Sequence, residues 1–328
     1  MLIDNHNREI NYMRLAVTDR CNLRCFYCMP ENGIKYVNRK DLLSFEEMFR
    51  MVSVFSELGI SKLRITGGEP FIRKGIMEFL EKVSRIEKIH EINITTNGTF
   101  TEDKIADLEK MGIKSINLSL DSLNKERFFE ITRRDMFDQV MATFEELLAS
   151  SIKTKINMVV MEGRNIEDIY PMLALTKEKN VSVRFIEEMP FNGTEGQGNN
   201  TFWPMKKILN YAKAKYEIEK LPDPPSSTSQ NFKIKGHKGS FGIIAAYTRS
   251  FCGTCNRIRI TPKGGLRTCL YGNKVLSIRD LMREGASNEE LGNQLISTLK
   301  LRAKDGFEAE KMRDTLNPVS ESMATIGG

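Results

Sequence analysis

The sequence predicts an α/β protein: an open, partial barrel of the TIM type with about six β/α units, followed by a C-terminal α+β extension. Three observations predict it. Short β-rich runs alternate with helical patterns across 12–190. Polar and glycine motifs follow those runs at their carboxyl ends. Organisation then changes after Met189, and a Pro- and Ser-rich stretch at 221–231 sets the boundary between a first part, 1–220, and a second, 221–328.

The first run, 14–17, leads into a cysteine-rich loop. Ser44 and Glu47 then make a capping-box pattern, with Phe45, Met48, Phe49, Val52 and Phe55 at helical spacing and Gly59 as the stop. Runs at 63–66, 92–95, 116–120, 154–160 and 182–187 read as further strands, and 102–111, 136–150 and 165–179 as helices between them. Six units are too few to close an eight-stranded barrel, so the barrel stays open. Chemistry in such folds sits beyond the carboxyl ends of the strands. There TGGEP follows the second run, TTNG the third and SLD the fourth. Past Met189, 190–200 reads as a loop. The segment 221–231 holds three of the ten prolines and reads as an exposed linker or long loop. A hairpin is expected over 232–247, and short strands at 257–261 and 265–270. Ser287 and Glu290 cap a last helix with Leu291, Leu295 and Leu299 on one face.

Composition narrows the class without naming a function. The chain has 328 residues, 40% hydrophobic and 28% charged, ordinary for a soluble enzyme. The polar first ten residues do not resemble a signal peptide, and no run approaches the roughly 18 apolar residues that span a bilayer. A cytoplasmic protein is expected, with no membrane partner. The net charge of +6 is a weak pointer to an anionic ligand, and no aromatic–basic stripe suggests nucleic acid.

The six cysteines fall into two triads, Cys21, Cys25, Cys28 and Cys252, Cys255, Cys269. Clustered cysteines in a reducing compartment bind metal or do redox chemistry. Three thiolates on one tight loop can each hold one iron of a four-iron cluster and leave the fourth iron open to a small molecule. A zinc site completed from elsewhere is the alternative for both triads, with His237 as a candidate fourth ligand to the second. Beside the second triad, Arg257 and Arg259 share one face if their segment is a strand, while Ile258 and Ile260 take the other. Two guanidinium forks on one face suit a polyphosphate.

The C-x3-C-x2-C spacing, with Tyr27 before the last cysteine, resembles the radical S-adenosylmethionine (SAM) superfamily, and TGGEP agrees with it. The second triad, its R-x-R and the terminal Gly327–Gly328 make the whole chain similar to the GTP 3′,8-cyclase family (molybdenum cofactor biosynthesis protein A). That resemblance implies two [4Fe-4S] clusters, one on each triad, and a radical lyase that cyclises GTP. It implies a SAM site at Tyr27, Gly68, Ser119 and Met189. It implies a GTP site at Arg14, Arg64, Thr95, Lys155 and the segment of Arg257, Ile258 and Arg259, with Arg14, Arg257, Arg259, Gly327 and Gly328 supporting catalysis. It further implies an external electron donor, a homodimer, and handover of product to cyclic pyranopterin monophosphate synthase.

Overall fold

The computed structural model describes residues 1–189, 202–273, 275–312 and 322–326. Gly327, Gly328 and the segment 190–200 therefore lie outside the described residues.

The six predicted runs form β1 (Tyr12–Ala16), β2 (Lys62–Thr66), β3 (Glu91–Thr96), β4 (Ser115–Ser119), β5 (Lys153–Val160) and β6 (Ser182–Glu187), each parallel to the next. The chain then adds β7 (Ile218–Lys220), β8 (Ser229–Ile234), β9 (Ser240–Ile244), β10 (Arg257–Ile260), β11 (Gly265–Arg267) and β12 (Leu276–Ser277). One twelve-stranded sheet results, in the order β12-β11-β10-β1-β2-β3-β4-β5-β6-β9-β8-β7. β9 joins β6 in parallel and β10 joins β1 in parallel, so both edges of the six-stranded core are lengthened by the later chain. Antiparallel strands finish each side, and the sheet does not close. The partial, open barrel is the observed architecture.

Alternation along the strands gives the sheet two unlike faces. Met13, Leu15, Leu63, Ile65, Ile94, Ile116, Ile156, Val183, Ile258 and Ile260 are fully buried toward the helical layer. That layer comprises α1 (Phe45–Glu57), α2 (Ile76–Ser84), α3 (Ile105–Lys110), α4 (Lys125–Thr132), α5 (Phe137–Ala149) and α6 (Ile169–Glu178). α1 starts on the expected capping box: Ser44 Oγ accepts from Glu47 N–H and Glu47 reaches back to Ser44 N–H. α2 has no such signal, because its N-cap is Gly75 in the left-handed region at φ 86° with no side-chain bond. Later come α7 (Met205–Lys213), α8 (Ile278–Arg283), α9 (Asn288–Leu299), α10 (Gly306–Lys311) and α11 (Met323–Ile326). α9 carries the Ser287–Glu290 capping box, and Leu291, Leu295 and Leu299 are fully buried.

The expected loop is present at 221–228, exposed over 222–225, and the segment then enters β8 at Ser229. Asp223 accepts from the backbone and side chain of Asn231 at 2.8 and 2.9 Å, drawing the loop closed. Its residues 224–228 form part of a cavity wall at the end of β9.

Candidate active site

The polar face of the barrel encloses a cavity of about 500 Å³. Every second residue of the strands reaches it: Tyr12 and Arg14, Lys62 and Arg64, Asn117 and Ser119, Lys155 and Asn157, Arg257 and Arg259. Parallel register aligns them in rows across the sheet. Arg259, Arg14 and Arg64 are successive partners on β10, β1 and β2, and Thr95, Asn117 and Lys155 on β3, β4 and β5. Residues far apart in sequence thus become neighbours because the strands start in step.

The first triad lies beyond the carboxyl end of β1. Its loop is tied down by backbone bonds alone at several points: Arg24 N–H donates to Thr132 O and Phe26 N–H to Ile131 O, at the end of α4. Cys28 N–H donates to Cys25 O at 2.9 Å. The glycines of TGGEP press against this same loop. Gly68 N–H donates to Thr18 O and Glu69 N–H to Arg20 O, both at 2.8 Å. A Cβ on Gly68 would stand 2.1 Å from Arg20 O, and one on Gly67 2.4 Å from Thr18 O. The pair lets the two loops touch, while Gly68 also borders the cavity. Glu69 is fully buried and accepts from Asn97 N–H, Phe71 N–H and Thr96 Oγ1, linking TGGEP to TTNG. Tyr27 Oη donates to Asp121 of SLD at 2.8 Å. Burial pushes Glu69 up to about 7 and Asp121 up to about 6.

The second triad lies at the other end of the strands. Arg257 opens β10 and is aligned with Tyr12, the first residue of β1. Cys255 comes just before it, and Cys269 follows β11, which runs back antiparallel to β10. The expectation that the chemistry gathers at the carboxyl ends therefore holds for the first triad and its motifs, and not for the second. All six cysteines border the one cavity, and the arginine row stands between the triads.

Charge divides the cavity along the same axis. The Cys21 thiol, raised by burial and then by Glu69, is pushed up to about 12, and burial takes Cys28 to about 11. At Cys255 burial also raises the pKa, but Arg257 and Arg302 outweigh it and bring the thiol down to about 7. Burial and then Arg259 push Arg14 well below the ordinary arginine value, and burial takes Arg184 and Arg259 to about 10. Lys155 falls to about 7 through burial and then Arg184 and Arg64. Arg14 Nε, Arg184 Nε and Arg257 Nη2 are buried with no hydrogen-bond partner. Cations crowded at this density with donors left over form a site for a multiply charged anion.

The thiols fit clusters better than single ions. Among the described residues no three His, Cys, Asp or Glu converge as the ligands of one metal ion do. A four-iron cluster takes one thiolate per iron, spread around a volume. Each triad offers three free thiols close enough to shift one another's ionisation. The zinc alternative that used His237 is not supported: its Nδ1 is bonded to Thr176 Oγ1 at 2.8 Å, and the residue does not border the cavity.

Comparison with known proteins agrees with this layout. Residues 15–176 match the model of the radical SAM superfamily, and 181–307 match that of Molybdenum Cofactor Synthesis C. The GTP 3′,8-cyclase of Desulforamulus reducens is 38% identical over the full length of both chains. The chain belongs to the GTP 3′,8-cyclase family. The molybdenum cofactor biosynthesis protein moc-5 of Caenorhabditis elegans is 41% identical over 88% of this chain and 48% of its own. This chain thus spans about half the length of such longer relatives. In fold it resembles Streptococcus suis SuiB bound to S-adenosylmethionine, with a TM-score of 0.59 at 15% identity over 88% of this chain and 68% of that one.

Within this family frame, the structure brings together most of the residues singled out from sequence. Arg14, Tyr27, Arg64, Gly68, Thr95, Ser119, Lys155, Met189, Arg257 and Arg259 all border the cavity. Arg64 is held by Tyr12 and Thr95, Nε donating to Tyr12 Oη at 2.5 Å and Nη1 to Thr95 Oγ1 at 3.2 Å. Ile258 is different. Its side chain is fully buried in the core, leaving only its peptide to act in the site. Sequence reading passed over Tyr12, Lys62, Arg184 and the loop 224–228, which also border the cavity. Tyr12, Lys62 and Arg184 could have been found, being the i−2 partners of Arg14 and Arg64 and an inward position of β6. The loop carries no local signal for its place.

Proposed function

We propose that this chain is a GTP 3′,8-cyclase, converting GTP to 3′,8-cyclo-7,8-dihydro-GTP at the start of molybdenum cofactor biosynthesis. The reading is carried by one observation: two three-thiol sets at opposite ends of a single cavity, with a row of arginines lining it between them. Cys21, Cys25 and Cys28 would hold a cluster that, when bound, would supply the electron for reductive cleavage of SAM to methionine and a 5′-deoxyadenosyl radical. Tyr27, Gly68, Ser119 and Met189 border the space for SAM. Cys252, Cys255 and Cys269 would hold a second cluster, which would supply an open iron for the guanine end of the substrate.

Arg14, Arg64, Lys155, Arg257 and Arg259 meet the triphosphate, joined by Lys62 and Arg184, with Thr95 and the Ile258 peptide completing the wall. Several guanidinium forks on one face give bidentate contacts that fix the nucleotide's orientation as well as its charge. Held this way, the ribose C3′ would give its hydrogen atom to the 5′-deoxyadenosyl radical and bond to guanine C8, and the cyclised radical would then take up one electron from the external donor and one proton to become the 7,8-dihydro product. The enclosing wall keeps water and stray hydrogen donors from the radical. Gly327 and Gly328 support catalysis. An external donor supplies the electron, the protein is a cytoplasmic homodimer, and cyclic pyranopterin monophosphate synthase receives the product. No helix among the described residues is long and apolar enough to cross a membrane.

The test is anaerobic purification, with iron and sulfide measured and 5′-deoxyadenosine followed in the presence of SAM, reductant and GTP. About eight irons per chain and GTP-dependent 5′-deoxyadenosine are expected. Zinc in place of iron would end this reading.

A further inference from the structure

The second triad is backed by two stretches of chain that the sequence motifs do not touch. One is the N-terminal turn closed by the Ile3–Glu9 bridge, and the other is 302–304. Asp4, whose side chain is wholly covered, accepts from Arg8 Nε at 2.7 Å and lies 3.6 Å from Arg302 Nε. Arg8 donates onward to the carbonyls of Cys252, Ala303 and Lys304 at 3.2, 2.9 and 2.6 Å. His6 Nε2 lies 3.0 Å from the Arg302 carbonyl. The turn thus clamps 302–304 against the cysteine loop. Arg302 itself is 3% exposed and donates from Nη2 to Cys255 Sγ at 3.1 Å, while its Nη1 is buried with no hydrogen-bond partner.

A guanidinium this deeply buried needs acceptors around it. Asp4 offsets part of its charge and Cys255 takes one donor. The Arg302 Nη1 meets no acceptor among the described residues, which suits a site that gains sulfur atoms when a cluster is assembled. The thiols of the first triad meet a different set of groups. Cys21 Sγ takes the neutral amide of Asn97, at 3.7 Å, the charges that act on Cys21 and Cys25 include the carboxyls of Glu69 and Asp121, and the Arg24 guanidinium is bonded to the Cys21 and Leu23 carbonyls.

We propose that Arg302, held in place by Asp4, sets the reduction potential of the cluster on Cys252, Cys255 and Cys269 and lifts it above that of the cluster on the first triad. This rests on the reading that the second triad holds a cluster. Hydrogen bonds to cluster sulfurs and nearby charge are the protein's levers on potential. Reduction adds a negative charge, which a neighbouring fixed cation favours. Arg302 is a positioning residue in this scheme: it touches a ligand cysteine and not the nucleotide.

The experiment uses the full chain, loaded with iron anaerobically, in redox titrations followed by electron paramagnetic resonance. Cys25→Ser and Cys252→Ser assign the two signals. In Arg302→Met at unchanged iron content, the reduced-to-oxidised ratio of the second cluster at a fixed poise should fall about tenfold, or about 59 mV for one electron. The first cluster should stay put, and Arg302→Lys should recover part of the shift. An unmoved second midpoint in Arg302→Met, or equal movement of both clusters, would overturn the proposal. Should Arg302→Met lose iron, Asp4→Asn decides: a lowered second midpoint supports the proposal and an unmoved one sinks it. About four irons in the unaltered chain would instead defeat the reading of the second triad as a cluster site.

Discussion

Arg14 is required by two opposing demands. Without a ligand it is a cation among cations, with Nε buried and unpaired between Arg259 and Arg64. With a polyphosphate it gains acceptors for those donors. Arg14→Met should therefore stabilise the cluster-loaded, GTP-free protein by about 1–2 kcal/mol while weakening GTP binding about tenfold or more. Thermal melts with and without GTP should show the two effects as opposite shifts. Lys155 carries the same conflict in its ionisation. Its folded pKa of about 7 lies below the ordinary 10.5, so between those values the unfolded chain holds a proton that the folded one has released. Its contribution to the stability of the ligand-free protein therefore rises with pH across that window and is lost as pH falls through 7. A bound triphosphate draws the proton back. GTP binding near pH 8 should take up a proton, and affinity should fall as pH rises above about 7. Titration calorimetry in buffers of different ionisation enthalpy should show that uptake in the wild type and not in Lys155→Met.

At the scale of elements, local chemistry explains what was legible. α1 and α9 declare themselves because each starts with a serine and a glutamate that satisfy two backbone donors reciprocally. Ser44→Ala should cost about 1 kcal/mol. A lowered denaturant midpoint with unchanged iron content is the expected readout, since α1 lies on the helical side of the sheet. α2 is invisible to the same reasoning because Gly75 offers a backbone conformation and no side-chain cap. TGGEP shows a subtler limit. Its glycines mark a close approach, as the motif suggests, but the partner that comes closest is the chain's own triad loop.

For the whole molecule, the decisive feature is that the later chain supplies both flanks of the barrel. β10 puts Arg259 in register with Arg14, and its approach sets Cys252 and Cys255 at the amino ends of the strands. The triads are thereby built on separate supports, one on loops after β1 and β2 and α4, the other on β10, β11 and the Asp4–Arg302 clamp. Cys252→Ser should leave the first cluster intact, halving iron from about eight to about four and abolishing cyclised product. Full cyclising activity in that variant would mean that the second triad holds no working cluster.

The sequence by itself determined the six β/α units, the open barrel, the two triads and the inward pair Arg257 and Arg259, because each follows from spacing: period two in strands, capping residues in helices, tight loops for thiols. Only the tertiary structure decided that the triads stand at opposite ends of one cavity, that 224–228 forms its wall, and that Arg302 reaches Cys255. Those facts depend on which strands pair and in what register. Pairing residues some 245 positions apart, as Arg14 and Arg259 are, leaves no trace in local periodicity.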